Sequence, residues 1–471
     1  MIKNSIKYAL FKDFFYLTKT VQNVRFLYMA YGCQKVDIKF NSSHLTHYGG
    51  VYFFHLFLKK LGLRPLLSRK ISYNQRNSHY SISEMIYSII YPIILGLSRI
   101  EITILLGRNG VFKHLIGLNK FPGPTTLRRF LVRGAPELLP QIVNLHDQLR
   151  LYFLGLIVPE KRLVIDLDST VCTVYGNQEG AERGYNPDHR GRKSYHPLFC
   201  FEYFSGESLF GNLRSGNVYT LTGSHELLEK VLDNLSARTY RMRIRGDSGF
   251  YDKQIIALLS QNSAEFAIVA AMTNRLKNEV FGLRYKRFNQ IYSFSEFFYQ
   301  PIGWTKRCRF CVIRKKLPKE ELAQSTLFTL DRYSYSAIAT NLKMASQNVW
   351  RFYNQRVQCE RNIRGLKEDY FLGNIPTKNF AANEFYLELL LLSYDLIKWF
   401  QRLCLPDAWQ NKTLQTLRNE LLLLPGSFVQ HGSKQILRFP KNSPQQKIFL
   451  SAKEKISKLR DLNQYLKEDF Y

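Results

Sequence analysis

Four carboxylates stand where side chains can converge. Asp166 and Asp168 close the apolar run RLVIDLDS, and the period of two in a strand puts both on one face. Asp247 follows YRMRIRG at the C-terminal end of a second strand, where open α/β sheets hold ligands. Glu360 lies in SQNVWRFYNQRVQCERNIRGLKEDY, which reads as a helix. At about 100° per residue, Tyr353, Arg356, Glu360 and Lys367 fall within about 60° of one another. That stripe aims a phenol, two cations and a carboxylate at one groove, while Phe352, Ile363 and Leu366 beside it supply the packing face. A plainer reading of each part stays open: turn or cap residues for the aspartates, and a solvated helix face laced by an Arg356 to Glu360 pair.

Other charges point to a partner. The chain has 471 residues, 67 Lys and Arg against 37 Asp and Glu, and a net charge of +30. With 45% apolar residues it is expected to fold, which excludes a disordered basic tail, and its field favours a polyanion such as nucleic acid. Arg183, Arg190, Arg192 and Lys193 crowd a loop between the first strands, either a phosphate clamp or a solvated basic loop. Lys306, Arg307, Arg309, Arg314, Lys315 and Lys316 surround Trp304, a mixture that suits an unstacked base unless the tryptophan is simply core. Seven scattered cysteines suggest reduced thiols, and the C-x-x-C of Cys308 and Cys311 has no second pair at zinc spacing. The run Met85–Ser98 is too short for a bilayer span, and no cleavage site follows the apolar start. The expectation is a cytoplasmic protein without membrane contact.

The elements that must position these groups fall into five stretches. Residues 1–157 read as a helical DNA-binding domain. In it a helix ends at Gly62, a capping box joins Ser81 to Glu84, and a helix beginning at Thr125 or Thr126 carries Arg128 and Arg129 in an arrangement like a helix-turn-helix. Residues 158–263 read as a mixed α/β layer with a hairpin turning at Ser205 and Gly206. Residues 264–344 read as a separate all-β insertion, and residues 345–405 return to helices, of which NEFYLELLLLSYDLIKWFQRL is apolar nearly all round and must be buried. Residues 406–471 read as a basic helical tail ending in a solvated helix.

The spacing Y-x-x-R-x-x-x-E-x-x-x-x-x-x-K of Tyr353, Arg356, Glu360 and Lys367 resembles the signature of DDE insertion-sequence transposases with an all-β insertion in the catalytic core. The phrases DLDSTVCTVYGNQEGAERGYNPDHRGRKSYHPLF and RGDSGFYD resemble the thirteen-eighty family of bacterial insertion sequences, over about Gly50 to Phe400. The resemblance implies an RNase H-like α/β core with Asp168, Asp247 and Glu360 as catalytic and metal-binding residues, Asp166 lying only two residues from the first. It implies two Mg²⁺ ions, with Mn²⁺ substituting, and cut-and-paste transposition on double-stranded terminal repeats and target DNA. It further implies a homodimer in a synaptic complex near the nucleoid. Arg356 and Lys367 would hold phosphates flanking the scissile bond, and Tyr353 would contact the end nucleotide. Two other readings remain: a DNA-binding protein without catalysis, and a nuclease or resolvase that cuts without joining.

Overall fold

The computed structural model describes residues 38–39, 41, 44–74, 79–158, 162–236, 240–318 and 332–464. Residues His44–Tyr471 form one compact unit; Cys33 and the apolar start lie outside the described residues.

The helices α1 (Val51–Lys60), α2 (Leu63–Lys70), α3 (Ile82–Ile94) and α4 (Pro124–Ile157) come first. Gly62 takes a φ of +68°, which lets the chain turn from α1 into α2 without a Cβ clash. Ser81 and Glu84 close the expected capping box on α3, whose apolar residues are nearly all buried. Then follow β1 (Arg162–Ser169), β2 (Leu198–Glu202), β3 (Ser208–Asn212), α5 (Ser224–Ser236), β4 (Arg241–Gly246), α6 (Lys253–Gln261) and β5 (Glu265–Val269). After helix α7 (Asn274–Phe281) come β6 (Tyr292–Tyr299), β7 (Cys308–Lys316) and β8 (Tyr333–Thr340). The helices α8 (Ser346–Asn354), α9 (Val357–Glu368), α10 (Phe380–Cys404) and α11 (Gln446–Ser457) complete the frame.

Among the described residues the main sheet has nine strands in the order Lys286–Arg287, β6, β7, β8, β5, β4, β1, β2, β3. β1 runs parallel to β4 and β4 to β5, whereas β2 and β3 are antiparallel to their neighbours. The hairpin from β2 to β3 turns at Gly206, with a φ of +72°. One sheet face packs on α5, α6 and α7 through Leu163, Ile165, Leu167, Ile244 and their neighbours. Phe199 and Phe201 on the other face join the core formed by α9, α10, α4 and the N-terminal helices.

Four expectations need correction. The strands of 264–344 are not a separate all-β unit: β5, inside the stretch, pairs with β4 of the main sheet and β8 with β5, because the two flanks of one apolar strand both need partners, and α7 lies among them. The supposed recognition helix is the first turn of the 34-residue α4, which runs along α10 and shares its core. Pro136 and Pro140 sit inside it, and burial of Leu131, Leu138, Ile142, Leu145 and Leu149 outweighs the lost backbone bonds. The region after Pro406 is not all helical: Gly426–His431 and Lys434–Arg438 form a hairpin that takes Leu45–Thr46 as a third strand. Helix α11 docks Phe449, Ala452 and Ile456 into the core rather than floating in solvent. The expectation for α10 holds, since its apolar residues are buried around nearly its whole girth.

Candidate active site

The register of β1 and β4 builds the site. Asp166 pairs with Arg245 and Leu167 with Gly246, so Asp168 and Asp247 leave the ends of neighbouring parallel strands together. Leu167 points to the core beneath α5 and α6, which leaves the even positions of β1 and the odd ones of β4 for the opposite face.

Asp166 is spent on structure. It is 1% exposed and takes a two-pronged bond from Arg245, Nε to Oδ1 at 2.7 Å and Nη2 to Oδ2 at 2.9 Å. Arg245 also donates from Nη1 to the carbonyl of Phe352 at 2.7 Å and lies over the rings of Tyr203 and Phe352. It thereby ties the last turn of α8 to the sheet. Asp168 stands at the mouth, and its Oδ1 accepts from the Ser169 amide at 2.8 Å. Burial pushes its carboxyl up to about 6, a rise that Arg356 opposes and Asp247 adds to. Asp247 caps a short 3₁₀ turn, accepting from the Gly249 amide at 2.9 Å.

The signature helix is broken. Tyr353 ends α8 and Arg356 precedes α9, and the step between them is wound tightly, with the Arg356 amide bonding Tyr353 O at 2.9 Å and Cys359 bonding Arg356 O at 2.8 Å. Arg356 turns inward at this step. It is 6% exposed, its Nη2 donating to Leu167 O at 2.8 Å and lying 3.1 Å from Asp168 Oδ1. The expected single stripe is therefore two segments, and Arg356 pairs with Asp168 rather than with Glu360. Burial, opposed by Arg356 and joined by Asp247, Asp168 and Glu360, pushes the Tyr353 hydroxyl up to about 12, so the phenol lies within the field of all three carboxylates. Glu360 is exposed in the first turn of α9, and Lys367 is half-buried in its last turn. Among the described residues no three acidic, His or Cys side chains stand at ligand spacing.

The other expected contacts divide. Arg190 and Arg192 are exposed and Lys193 half-buried, around a small three-stranded sheet of Cys172–Thr173, Lys193–Tyr195 and Glu182–Arg183. Trp304 is half-buried, 5.1 Å from the Tyr251 ring, beside a cleft of about 730 Å³ that Lys253, Lys306 and Arg307 also line. Arg309 and Arg314 are committed to packing, the first to Glu296 and the Leu342 carbonyl, the second to the rings of Tyr285 and Tyr333. Cys308 and Cys311 are buried on opposite faces of β7, so they cannot share a metal. Arg129 is exposed, but Arg128 is tied to Glu101 and to the Pro376 carbonyl at 3.1 Å. Arg128→Ala should cost no more than about 1 kcal/mol in thermal denaturation and leave DNA sequence preference unchanged; altered preference in a selection from random duplexes would restore the base-reading role.

Sequence reasoning missed two positioning groups. Arg245 was legible in principle, since the alternation in RMRIRGD puts Arg243, Arg245 and Asp247 on one face. His196 was not. It bridges the Asp168 end of β1 to the loop after β3, with Nε2 3.0 Å from Ser169 Oγ and Nδ1 3.1 Å from Val218 O.

The strand ends of the α/β layer thus present two aspartates, with Arg356 at the helix break beside the first. Residues 30–461 match the family described as Transposase DDE domain group 1, and the chain belongs to that family. No curated protein sequence matches it. Among solved structures, a piggyBac transposase synaptic complex with hairpin DNA is similar at 12% identity and a TM-score of 0.41, covering 90% of this chain and 86% of that one. The Drosophila P element transposase strand transfer complex is similar at 13% identity and a TM-score of 0.23, covering 43% and 42%. At these scores the assignment rests on the sequence family. Among the described residues no helix is long and apolar enough to cross a membrane.

Proposed function

We propose that this transposase cleaves DNA at the ends of an insertion sequence and joins the freed ends to target DNA, with Asp168, Asp247 and Glu360 as its catalytic carboxylates. The observation that carries the reading is the register that sends Asp168 and Asp247 out of adjacent parallel strands beneath the Tyr353 to Glu360 segment. The order β3, β2, β1, β4, β5, with β2 alone antiparallel to β1 and the other three parallel to it, supports an RNase H-like core. The quoted signature phrases support the thirteen-eighty family as the narrower assignment.

The donor set fits Mg²⁺ in chemistry: all three groups offer carboxylate oxygens, and the Asp168 Oδ1 already accepts a cation, the Arg356 guanidinium. Asp168, Asp247 and Glu360 would hold the ions, Mn²⁺ replacing them, and bound cations would stabilise the attacking and leaving oxygens of an in-line displacement. The chain's own residues do the rest. Arg356 holds Asp168 and the Leu167 carbonyl in place; its Nε, buried and without a hydrogen-bond partner among the described residues, is the donor left for a phosphate. Lys367, Arg190, Arg192 and Lys193 would line the backbone path, Tyr353 the end nucleotide, and Trp304 an unstacked base beside Tyr251. Two copies, one for each end, would act in one synaptic complex in the bacterial cytoplasm.

The direct test is a purified protein, Mg²⁺ and a labelled duplex carrying the element's own end, with joining of a pre-cut end to a plasmid assayed beside it. Nicking and joining are expected from one preparation. Nicking without joining under any divalent metal would leave a nuclease, and binding alone a DNA-binding protein without catalysis. Affinity for DNA should fall with salt at a log-log slope of about −0.9 per neutralised phosphate. Removing Arg190 and Arg192 together should flatten the slope by about two units; an unchanged slope would take both arginines off the DNA path.

A further inference from the structure

Tyr219 is 85% exposed and Tyr185 81% exposed, yet both sit on backbone that is held firmly. The loop after β3 is pinned by Arg214, a side chain only 6% exposed, which donates to His196 O at 2.8 Å, Thr220 O at 2.9 Å, Thr222 O at 2.5 Å and Tyr219 O at 3.4 Å. The same loop lies against the small side sheet without room for a side chain. A Cβ at Gly184 would come within 1.9 Å of Gly216 O, and one at Gly216 within 2.2 Å of Ser194 O. Tyr185 follows directly on Gly184, and Tyr219 follows three residues after Gly216. The two phenols thus stand one and three residues from a shared backbone contact.

That contact is anchored to both aspartate strands. His196 joins Val218 O to the hydroxyl of Ser169, the neighbour of Asp168. On the other strand, Thr220 Cγ2 lies 2.9 Å from where a Cβ of Gly249 would be, and the Gly249 amide is the one that bonds Asp247. Arg183 is exposed on the side sheet two residues before Tyr185, and Arg190 and Arg192 are exposed in the loop that leads into its strand Lys193–Tyr195.

A solvent-exposed ring on a rigid loop contributes nothing to the core. Its face is available to another π system, and cations beside aromatic faces are the makeup of surfaces that bind unpaired nucleic acid. Intact duplex keeps its bases stacked on one another and offers no such face. We propose that Tyr185 and Tyr219 form a stacking platform for unpaired nucleotides of the DNA end, held beside the Asp168 and Asp247 strand ends. The proposal rests on the transposase reading for the identity of that DNA.

The test compares a blunt duplex end with the same end splayed over its last few nucleotides, binding being measured with EDTA present so that no cleavage is needed. The unmutated protein should bind the splayed end more tightly. Tyr185→Ala and Tyr219→Ala should each reduce affinity for the splayed end about tenfold, as loss of one stacked base does, and change affinity for the blunt end little. Tyr219→Trp should retain the preference, because a larger π face replaces the phenol. Unchanged preference in both alanine variants, equal loss on both ends, or a change in sedimentation of the DNA-free protein pointing to a contact between copies would each overturn the platform. Cleavage of the duplex end with Mg²⁺, run on the unmutated protein, reports separately on the transposase reading: tyrosine-dependent binding without any cleavage would sink that reading and leave the platform standing.

Discussion

Asp168→Asn, Asp247→Asn and Glu360→Gln are each expected to abolish end cleavage, by a factor on the order of 10³ or more, the scale on which removal of one essential electrostatic group acts. Folding and end binding should survive. The amide at 168 still presents an oxygen to Arg356 and to the Ser169 amide, and that at 247 still caps Gly249, so the hydrogen bonds of the strand ends remain while the charge is lost. Glu360 is exposed and has no structural partner to lose among the described ion pairs. Cleavage of a labelled end, gel-shift binding and thermal denaturation on the same preparations decide the matter. A variant that still cuts is not a metal-bearing residue, and one that melts early says nothing about chemistry. Asp166→Asn belongs to the second kind. If it proved folded and inert while Asp168→Asn cut normally, the first catalytic carboxylate would move two residues back along β1.

Which aspartate does what was half legible. The period of two placed Asp166 and Asp168 on one face, but only the pairing of β1 with β4 shows that Arg245 stands opposite the first and Asp247 beyond the second. Local signals read well where local physics decides: the capping box at Ser81, the left-handed Gly62, the hairpin at Gly206 and the buried α10. The inward turn of Arg356 at the break was hidden, since its partners Leu167 and Asp168 lie far away in the chain. The all-β stretch was misread as separate for a similar reason. Its strands alternate as any antiparallel strands do, and the sequence carries no mark that β8 will seek β5. The recognition helix failed because a basic first turn resembles one wherever it occurs, while the 34-residue length of α4 is set by packing on α10.

The Asp166 and Arg245 pair should separate stability from geometry. Both groups are buried, and removing either partner leaves an uncompensated charge away from water, a loss of about 3 to 5 kcal/mol. Asp166→Asn and Arg245→Met alone should therefore lower the urea midpoint steeply. Combining Arg245→Met with Asp166→Leu replaces the pair by apolar groups, which is often close to neutral, so most of the stability should return. Activity should not return with it. Arg245 also holds the Phe352 carbonyl and lies against the Phe352 ring, and Tyr353, Arg356 and Glu360 follow directly on that residue. With the tie gone, the end of α8 loses its fixed distance to the sheet, and with it the segment that carries Glu360. The double variant is thus expected to unfold near the parent's urea concentration while end cleavage stays depressed at least tenfold, a loss of about 1.4 kcal/mol in transition-state stabilisation. Recovery of both stability and cleavage would mean that Arg245 only neutralises Asp166, and that the position of Glu360 is set by the packing of Ile363 and Leu366 instead.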